Sequence, residues 1–147
     1  MNNQEKIKKK LLKHILKNGK KLVSEKILTK SLKSIQKSQK KPHNEIVKLA
    51  VINSTPMFRV IKLKNKRRKK KSIKEIPAFL STYLYRTSWS LKYLSKTLSS
   101  KIDTGFSNKL THEILSSAKH ESSTITLKNE LQNKAFEKKK YFRHYRW

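Results

Sequence analysis

A chain of 147 residues is long enough for one domain with a core of ordinary size. Its 38 Lys and Arg against 9 Asp and Glu give a formal charge of +29, which exceeds what solubility requires and predicts binding to a polyanion. The absence of cysteine excludes disulfides and thiolate metal sites. No apolar run is long enough for a transmembrane helix, and the N-terminus resembles neither a secretory signal nor an Arg-rich import peptide.

Three helices are predicted in the first part of the chain. In the first, Ile7, Leu11 and Ile15 form one apolar stripe, and Asn18-Gly19 ends the helix. Asn44 is the predicted N-cap of a short third helix, which Pro56 prevents from continuing much further. The second helix lies between the first and the third, and its predicted apolar stripe consists of Leu22, Val23, Ile27, Leu28, Leu32 and Ile35.

Two strand-like runs follow, at residues 57–63 and 73–79. They bracket residues 64–71, where only Asn65 is uncharged. This pattern predicts a β-hairpin at about 57–80 with a basic tip, and Pro77 is compatible only with an edge strand. Like charges at this density repel one another, so we expect an anionic partner to order the tip.

Three further helices are predicted after the hairpin. The fourth has the clearest periodicity, and its stripe consists of Leu80, Leu84, Thr87, Leu91, Leu94 and Leu98. On its flank, Tyr85, Trp89 and Tyr93 are interpreted as packing residues. The stripe of the fifth helix consists of Phe106, Leu110, Ile114, Leu115 and Ala118. Residues 122–124 supply caps for a sixth helix, whose apolar positions are Leu127, Leu131 and Ala135.

The predicted fold is therefore mainly α. It is a bundle of about six helices with one protruding β-hairpin between the third and fourth, in a single domain of residues 1–147.

Catalytic or metal-binding patterns are scarce. His112 and His120 are eight residues apart instead of four and lack an obvious third ligand, so they are interpreted as exposed histidines of a surface helix. No serine lies in a nucleophile elbow, and only two glycines are available for a phosphate-binding loop. The sequence predicts a protein that is not an enzyme and needs no cofactor or metal.

Basic clusters with interleaved aromatic residues are the main functional pattern. The C-terminal residues 138–147 combine Lys and Arg with Tyr141, Phe142, Tyr145 and Trp147. Cations neutralise phosphates, and exposed rings stack on unpaired bases. The alternative is that Phe142, Tyr145 and Trp147 pack on the bundle and only the cations face outward.

Residues 140–147 resemble the C-terminal motif of the bacterial-type small-subunit ribosomal protein seven family. Three further motifs agree in order: Asn18-Gly19-Lys20-Lys21, Asn65-Lys66-Arg67-Arg68 in the hairpin closed by Ile76-Pro77, and Leu110-Thr111-His112-Glu113-Ile114-Leu115. The resemblance extends from about Lys10 to Trp147.

This resemblance implies a helical protein that binds the 3′ major domain of small-subunit rRNA and helps to assemble the head of the subunit near the tRNA and mRNA exit site. Neighbouring head proteins are implied partners, and exit-site tRNA and mRNA are further candidates. The predicted rRNA contacts are Lys20, Lys21, Lys62, Lys64, Lys66, Arg67, Arg68, Lys69, Lys70, Lys71, Lys128, Lys140, Arg143, His144, Arg146 and Trp147.

The chain departs from the family at several places, among them the fourth helix, where the family's tryptophan aligns with Tyr93 and Trp89 lies one turn earlier. Lys69-Lys70-Lys71 replaces a glycine pair near the hairpin tip, the basic N-terminal arm is nearly missing, and the C-terminal extension of many bacterial members is absent. The short termini, the composition rich in residues of A/T-rich codons and the lack of an import peptide together favour a member encoded in a mitochondrial genome over a plastid or bacterial one.

Two other functional classes fit parts of the pattern. A histone-like protein of an organellar nucleoid would share the charge, and it would bind duplex DNA and folded rRNA equally well. A cationic membrane-surface protein would need an apolar face rich in Trp and Phe, which these helices lack, so no membrane partner is expected.

Overall fold

A computed structural model describes residues 3–64, 73–100 and 105–144, with side chains described within 6–62, 75–100 and 105–142. In chain order the elements are α1 (Asn3–Ile15), α2 (Lys21–Ser38), α3 (His43–Asn53), β1 (Phe58–Lys64), β2 (Ile73–Phe79), α4 (Tyr83–Ser100), α5 (Phe106–Ala118), α6 (Ser123–Glu137) and a C-terminal 3-10 helix (Lys139–His144). The predicted fold class is confirmed: six α-helices carry one two-stranded antiparallel hairpin between α3 and α4.

The main apolar core is built by α1 to α5. Its buried residues are Ile7, Leu11, Ile15, Leu28, Leu32, Ile35, Ile46, Val47, Ala50, Val51, Leu91, Leu94, Leu98, Leu110 and Ile114. Helix α5 packs on both α2 and α3, and α4 packs on α1. The stripes predicted from helical spacing thus face one another, as expected for helices that bury one apolar side.

The turn between α1 and α2 follows the prediction from Asn18-Gly19. Both residues have left-handed backbone, with φ of 52° at Asn18 and 70° at Gly19. Asparagine and glycine adopt this conformation most readily, which explains this pair at the reversal. Helix α1 itself ends earlier, at Ile15.

The buried face of α2 differs from the predicted stripe. Leu22 is 73% exposed and Val23 51%, whereas Ser24 and Ser31 are buried. The Ser31 hydroxyl donates to the carbonyl oxygen of Leu28 at 2.8 Å, so its burial leaves no donor unsatisfied. Small side chains at these positions permit close helix packing, a choice that hydrophobicity alone does not reveal.

The N-cap predicted at Asn44 is wrong. Pro42 occupies the cap position with φ −61° and ψ 136°, and the helix begins at His43. The amide nitrogen of His43 donates to Oε1 of Gln36 at 3.0 Å, so a side chain of α2 replaces the local cap.

The hairpin pairs Phe58 with Phe79 and Lys64 with Ile73. The amide of Leu80 donates to the carbonyl oxygen of Met57 at 2.9 Å, which makes that pair hydrogen-bonded. Hydrogen-bonded and non-hydrogen-bonded pairs alternate, so Pro77, opposite Val60, belongs to a non-hydrogen-bonded pair. Its missing N–H therefore removes no ladder bond with β1. The sheet has two strands, so β2 is an edge strand, as predicted for this proline.

Helix α4 begins at Tyr83, so the stripe predicted from Leu80 starts too early. Leu80 is buried but lies before the helix, where its amide extends the hairpin pairing. Leu84 is 57% exposed. The first turn of α4 thus projects beyond the core, and the buried stripe starts at Thr87.

Candidate nucleic-acid interface

A cluster of four phenylalanine rings fixes the base of the hairpin to the C-terminal elements. The Phe58 ring lies 5.8 Å from Phe79 and 5.7 Å from Phe136 in edge-to-face geometry, and it stacks on Phe142 at 5.2 Å. Offset and edge-to-face ring pairs at these distances are favourable beyond the area they bury. Of the two interpretations of the tail, packing therefore holds for Phe142, whereas Tyr145 and Trp147 lie outside the described residues.

Polar contacts reinforce this attachment. Oε1 of Gln132 accepts from the amide of Met57 at 3.3 Å, and Nε2 donates to the carbonyl oxygen of Phe58 at 3.1 Å. The Glu75 carboxylate pairs with the ammonium of Lys138 at 2.5 Å and with that of Lys62 at 3.5 Å. The hydrogen bond and charge of Lys138 hold the pKa of Glu75 below its usual value. The basic hairpin thus projects from a base fixed to α6 and the 3-10 helix.

The predicted contact residues have different environments. Lys20 and Lys21 are exposed at the start of α2, and Lys21 forms an i,i+4 pair with Glu25 at 3.7 Å. Lys140 is exposed, with its ammonium 5.4 Å from the centre of the Tyr141 ring. Lys20, Lys21, Lys62 and Lys140 are therefore all accessible to a polyanion.

Lys128 has a structural environment. Its ammonium donates to the carbonyl oxygen of Asn53 at 2.6 Å, at the end of α3. Partial burial lowers the pKa of Lys128. This contact satisfies a terminal helix carbonyl and ties α6 to α3. The rRNA contact predicted at Lys128 stays a prediction.

For the remaining predicted contact residues, the structure does not describe the side chains. Lys64 ends β1, and Arg143 and His144 lie in the 3-10 helix, with only their backbone described. The rest fall outside the described residues: Lys66, Arg67, Arg68, Lys69, Lys70, Lys71, Arg146 and Trp147.

A second basic and aromatic surface was missed by the sequence interpretation. It lies along the contact of α1 and α4, and we call it the α1–α4 seam, consisting of Lys10, His14, Tyr85, Trp89 and Lys92. The Lys10 ammonium donates to the Leu84 carbonyl at 3.3 Å, and that of Lys92 lies 4.6 Å from the Trp89 ring centre.

The seam combines exposed aromatic surface with cationic charge. Tyr85 is 65% exposed and Trp89 is half-buried. Burial and the charges of Lys92 and Lys10 lower the pKa of His14. The spacing of Tyr85, Trp89 and Lys92 at i, i+4 and i+7 could have indicated a surface stripe, but only Tyr93 of the predicted packing flank is buried.

No group of three or more potential metal ligands occurs among the described residues. His112 is exposed on α5, and His120 is exposed just beyond the end of that helix with φ of 67°. Within the same residues, no helix is long and apolar enough to cross a membrane.

Comparison with known proteins identifies the family. The sequence model of the family described as "Ribosomal protein S7p/S5e" matches residues 1–139. The chain belongs to this family. It is a family of structural, non-enzymatic proteins, so the chain has a structural role in the small ribosomal subunit, with ribosomal RNA and other subunit proteins as its partners.

Individual relatives agree with the family match. The chain is 31% identical over 144 residues to "Small ribosomal subunit protein uS7c" of Cyanophora paradoxa, covering 93% of this chain and 84% of the relative. It is 28% identical over 137 residues to the uS7c protein of Euglena gracilis, covering 90% and 85%. The uS7 protein of Buchnera aphidicola is 26% identical over 138 residues, covering 94% and 85%.

Proposed function

We propose that the protein binds the 3′ major domain of small-subunit rRNA and helps to assemble the head of the subunit near the tRNA and mRNA exit site. Its action is charge neutralisation and shape recognition, without a catalytic step. Head proteins are its protein neighbours, and exit-site tRNA and mRNA are further partners within the same proposal.

The observation that carries the proposal is the fixed base of the hairpin. The Phe58 ring cluster and the Glu75 ion pairs hold β1 and β2 against the C-terminal elements. The sequence between the strands is basic at every position of 64–71 except Asn65. A basic sequence between two strands whose base is fixed suits contact with phosphates, because a positioned base reduces the conformational freedom that binding must remove.

The α1–α4 seam supports an RNA partner over duplex DNA. Tyr85 offers an exposed ring, and the half-buried ring of Trp89 lies beside the ammonium of Lys92. Rings of this kind stack on unpaired bases, which folded rRNA presents in loops and bulges and a DNA duplex does not.

We further propose that the protein functions in the mitochondrion and that residues 1–147 form one domain. The compartment is supported by the abundance of Lys, Asn and Ile, which A/T-rich codons specify. The single domain is supported by the continuous core of α1 to α5, by the packing of α6 on α4 and α5, and by the packing of the hairpin on α6.

The test is to reconstitute the protein with a transcript of the 3′ major domain and footprint the complex at 50 and 200 mM salt. We expect protection within this domain and, for six to ten phosphate contacts, an affinity loss of ~10³-fold or more across that range. A variant lacking residues 66–71 should bind more weakly and keep its helical circular dichroism.

Three results would contradict the proposal. The first is an absence of protection in the 3′ major domain. The second is equal affinity for duplex DNA, which favours the histone-like alternative. The third concerns the compartment: fractionated cells in which the protein is absent from mitochondrial small subunits exclude the mitochondrial assignment.

A further inference from the structure

The outer face of α2 carries a row of four lysines that none of the predicted contacts includes. Lys26, Lys30, Lys33 and Lys37 are all exposed, and they line an open trough of about 640 Å³ together with Thr29 and Ser34. We call these four residues the α2 lysine row.

The α2 lysine row is directed away from the core. At 3.6 residues per turn, its members fall within a sector of about 60°. The buried residues Ser24, Leu28, Ser31, Leu32 and Ile35 lie on the other side of the helix. The row is therefore held in place by the same packing that buries the core face of α2.

Among the described residues, the charges of this row have no carboxylate partners. Within the described part of the chain, none of the four ammonium groups forms a hydrogen bond or an ion pair, and the acid of α2, Glu25, pairs with Lys21. Like charges at i,i+3 and i,i+4 destabilise an isolated helix. An anionic partner that lies along the row removes this repulsion.

The length of the row matches several phosphates. Lys26 and Lys37 are eleven residues apart, which is ~16 Å along the helix, and each strand of duplex DNA places one phosphate about every 3.4 Å along its axis. The hydroxyl of Ser34 beside the lysines can donate to a phosphate oxygen, whereas that of Thr29 donates to the carbonyl oxygen of Glu25.

From these observations we propose that the α2 lysine row is a second RNA contact surface, which binds a stretch of phosphate backbone. The inference rests on the proposed rRNA-binding function and extends it to a different part of the molecule. Helix α2 packs on α5, α1 and α3, whereas the hairpin packs on α6 and the 3-10 helix. Lysines act as point charges, so the row positions RNA without reading its sequence.

The test compares two triple variants with equal loss of charge. One carries Lys30→Gln, Lys33→Gln and Lys37→Gln. The control carries Lys48→Gln, Lys119→Gln and Lys134→Gln, at lysines that are exposed outside α2. Affinity for the 3′ major domain transcript is measured from 50 to 200 mM salt by filter binding, with thermal unfolding of each free protein.

For the row variant we expect the slope of log affinity against log salt to fall by about two units, with binding on the order of 10²-fold weaker near 0.1 M salt. The control variant should lose less than tenfold. The free row variant should be at least as heat-stable as the unmodified protein, because repulsion within α2 is relieved.

The outcomes separate the two proposals. If the unmodified protein does not bind the transcript, the proposed rRNA function is wrong. If it binds and the two variants behave alike, only the α2 contact is overturned. If the row variant binds the transcript normally but no longer co-sediments with small subunits in a sucrose gradient, the row binds a protein. That result also overturns the RNA assignment.

Discussion

At the residue scale, Glu113 illustrates a polar group that the fold depends on. Its side chain is fully buried on α5 and accepts from the amide of Thr124 at 2.9 Å and from its hydroxyl at 2.6 Å. The Thr124 hydroxyl also lies 3.0 Å from that of Thr97 on α4. The carboxylate thus caps the first turn of α6 from a neighbouring helix, where the helix dipole favours negative charge.

Replacing this carboxylate should therefore destabilise the fold. In Glu113→Ala, the buried amide and hydroxyl of Thr124 lose an acceptor, which costs about 1–3 kcal/mol in the free energy of unfolding. Denaturant unfolding followed by circular dichroism measures the loss. The exposed Glu130→Ala on α6 is the control and should change stability by less than ~0.5 kcal/mol. Equal effects of the two substitutions would contradict the capping role.

His14 should make stability depend on pH. Burial and the charges of Lys92 and Lys10 lower its pKa below the ordinary 6.5. As pH falls below about 6.5, the unfolded state therefore binds a proton more readily than the folded state. The free energy of unfolding should therefore decrease as the pH is lowered through this range. His43, whose pKa is lowered by burial and by Lys8, contributes in the same direction.

The measurement is urea unfolding at pH 7.5 and 5.5. The His14→Gln variant should lose less stability between these values than the unmodified protein, because glutamine does not titrate. His112→Gln, on the exposed face of α5, is the matched control and should retain the full loss. An unchanged pH dependence in His14→Gln would refute the role of His14.

At the element scale, the attachment of the hairpin depends on Phe58. Phe58→Ala removes the ring shared by three aromatic pairs. It should lower the free energy of local unfolding of the hairpin by about 2–3 kcal/mol. Hydrogen exchange should show faster exchange in β1 and β2 with unchanged protection in α4 and α5, since the main core lies elsewhere. The control is Tyr83→Ala, which removes an exposed ring. Uniform loss of protection would instead mean that hairpin and core unfold together.

The helices and the hairpin could be predicted because their information is local. The spacing of Ile7, Leu11 and Ile15 and the two strand-like runs each specify a period without reference to distant residues. The predictions are wrong where tertiary packing, and not local spacing, determines which residues are buried. Leu84 has the helical spacing of a core residue, yet it is exposed because the first turn of α4 projects beyond the core.

The candidate site was less predictable than the fold. Basic residues indicated a polyanion, but charge alone does not distinguish a free cation from one held by the protein. Lys128 shows this, because its ammonium bonds to Asn53 on another helix, 75 residues away in sequence. The α1–α4 seam was missed for the same reason: the contact between α1 and α4 is non-local, and Tyr85 and Trp89 match a packing pattern equally well.

At the scale of the whole molecule, charge repulsion opposes folding in the free protein. With 38 cations and 9 carboxylates, at least 29 side chains of positive charge have no acidic side chain of their own. Net charge this far from zero destabilises a compact state. The protein should therefore be most stable where counterions or a polyanion neutralise it, and folding and RNA binding should respond to salt in opposite directions.

Thermal unfolding of the free protein should reveal this opposition. Raising NaCl from 10 to 100 mM shortens the Debye length from about 30 to about 10 Å, which screens repulsion between cations on different helices. We expect the Tm to rise, by about 2–4 °C for each ~1 kcal/mol gained. Rising salt should meanwhile weaken binding to the rRNA transcript, because counterions released into more concentrated salt gain less entropy. A Tm that falls with salt would show that ion pairs such as Glu75 with Lys138 outweigh the repulsion, and sucrose at matched osmolality controls for general solvent effects.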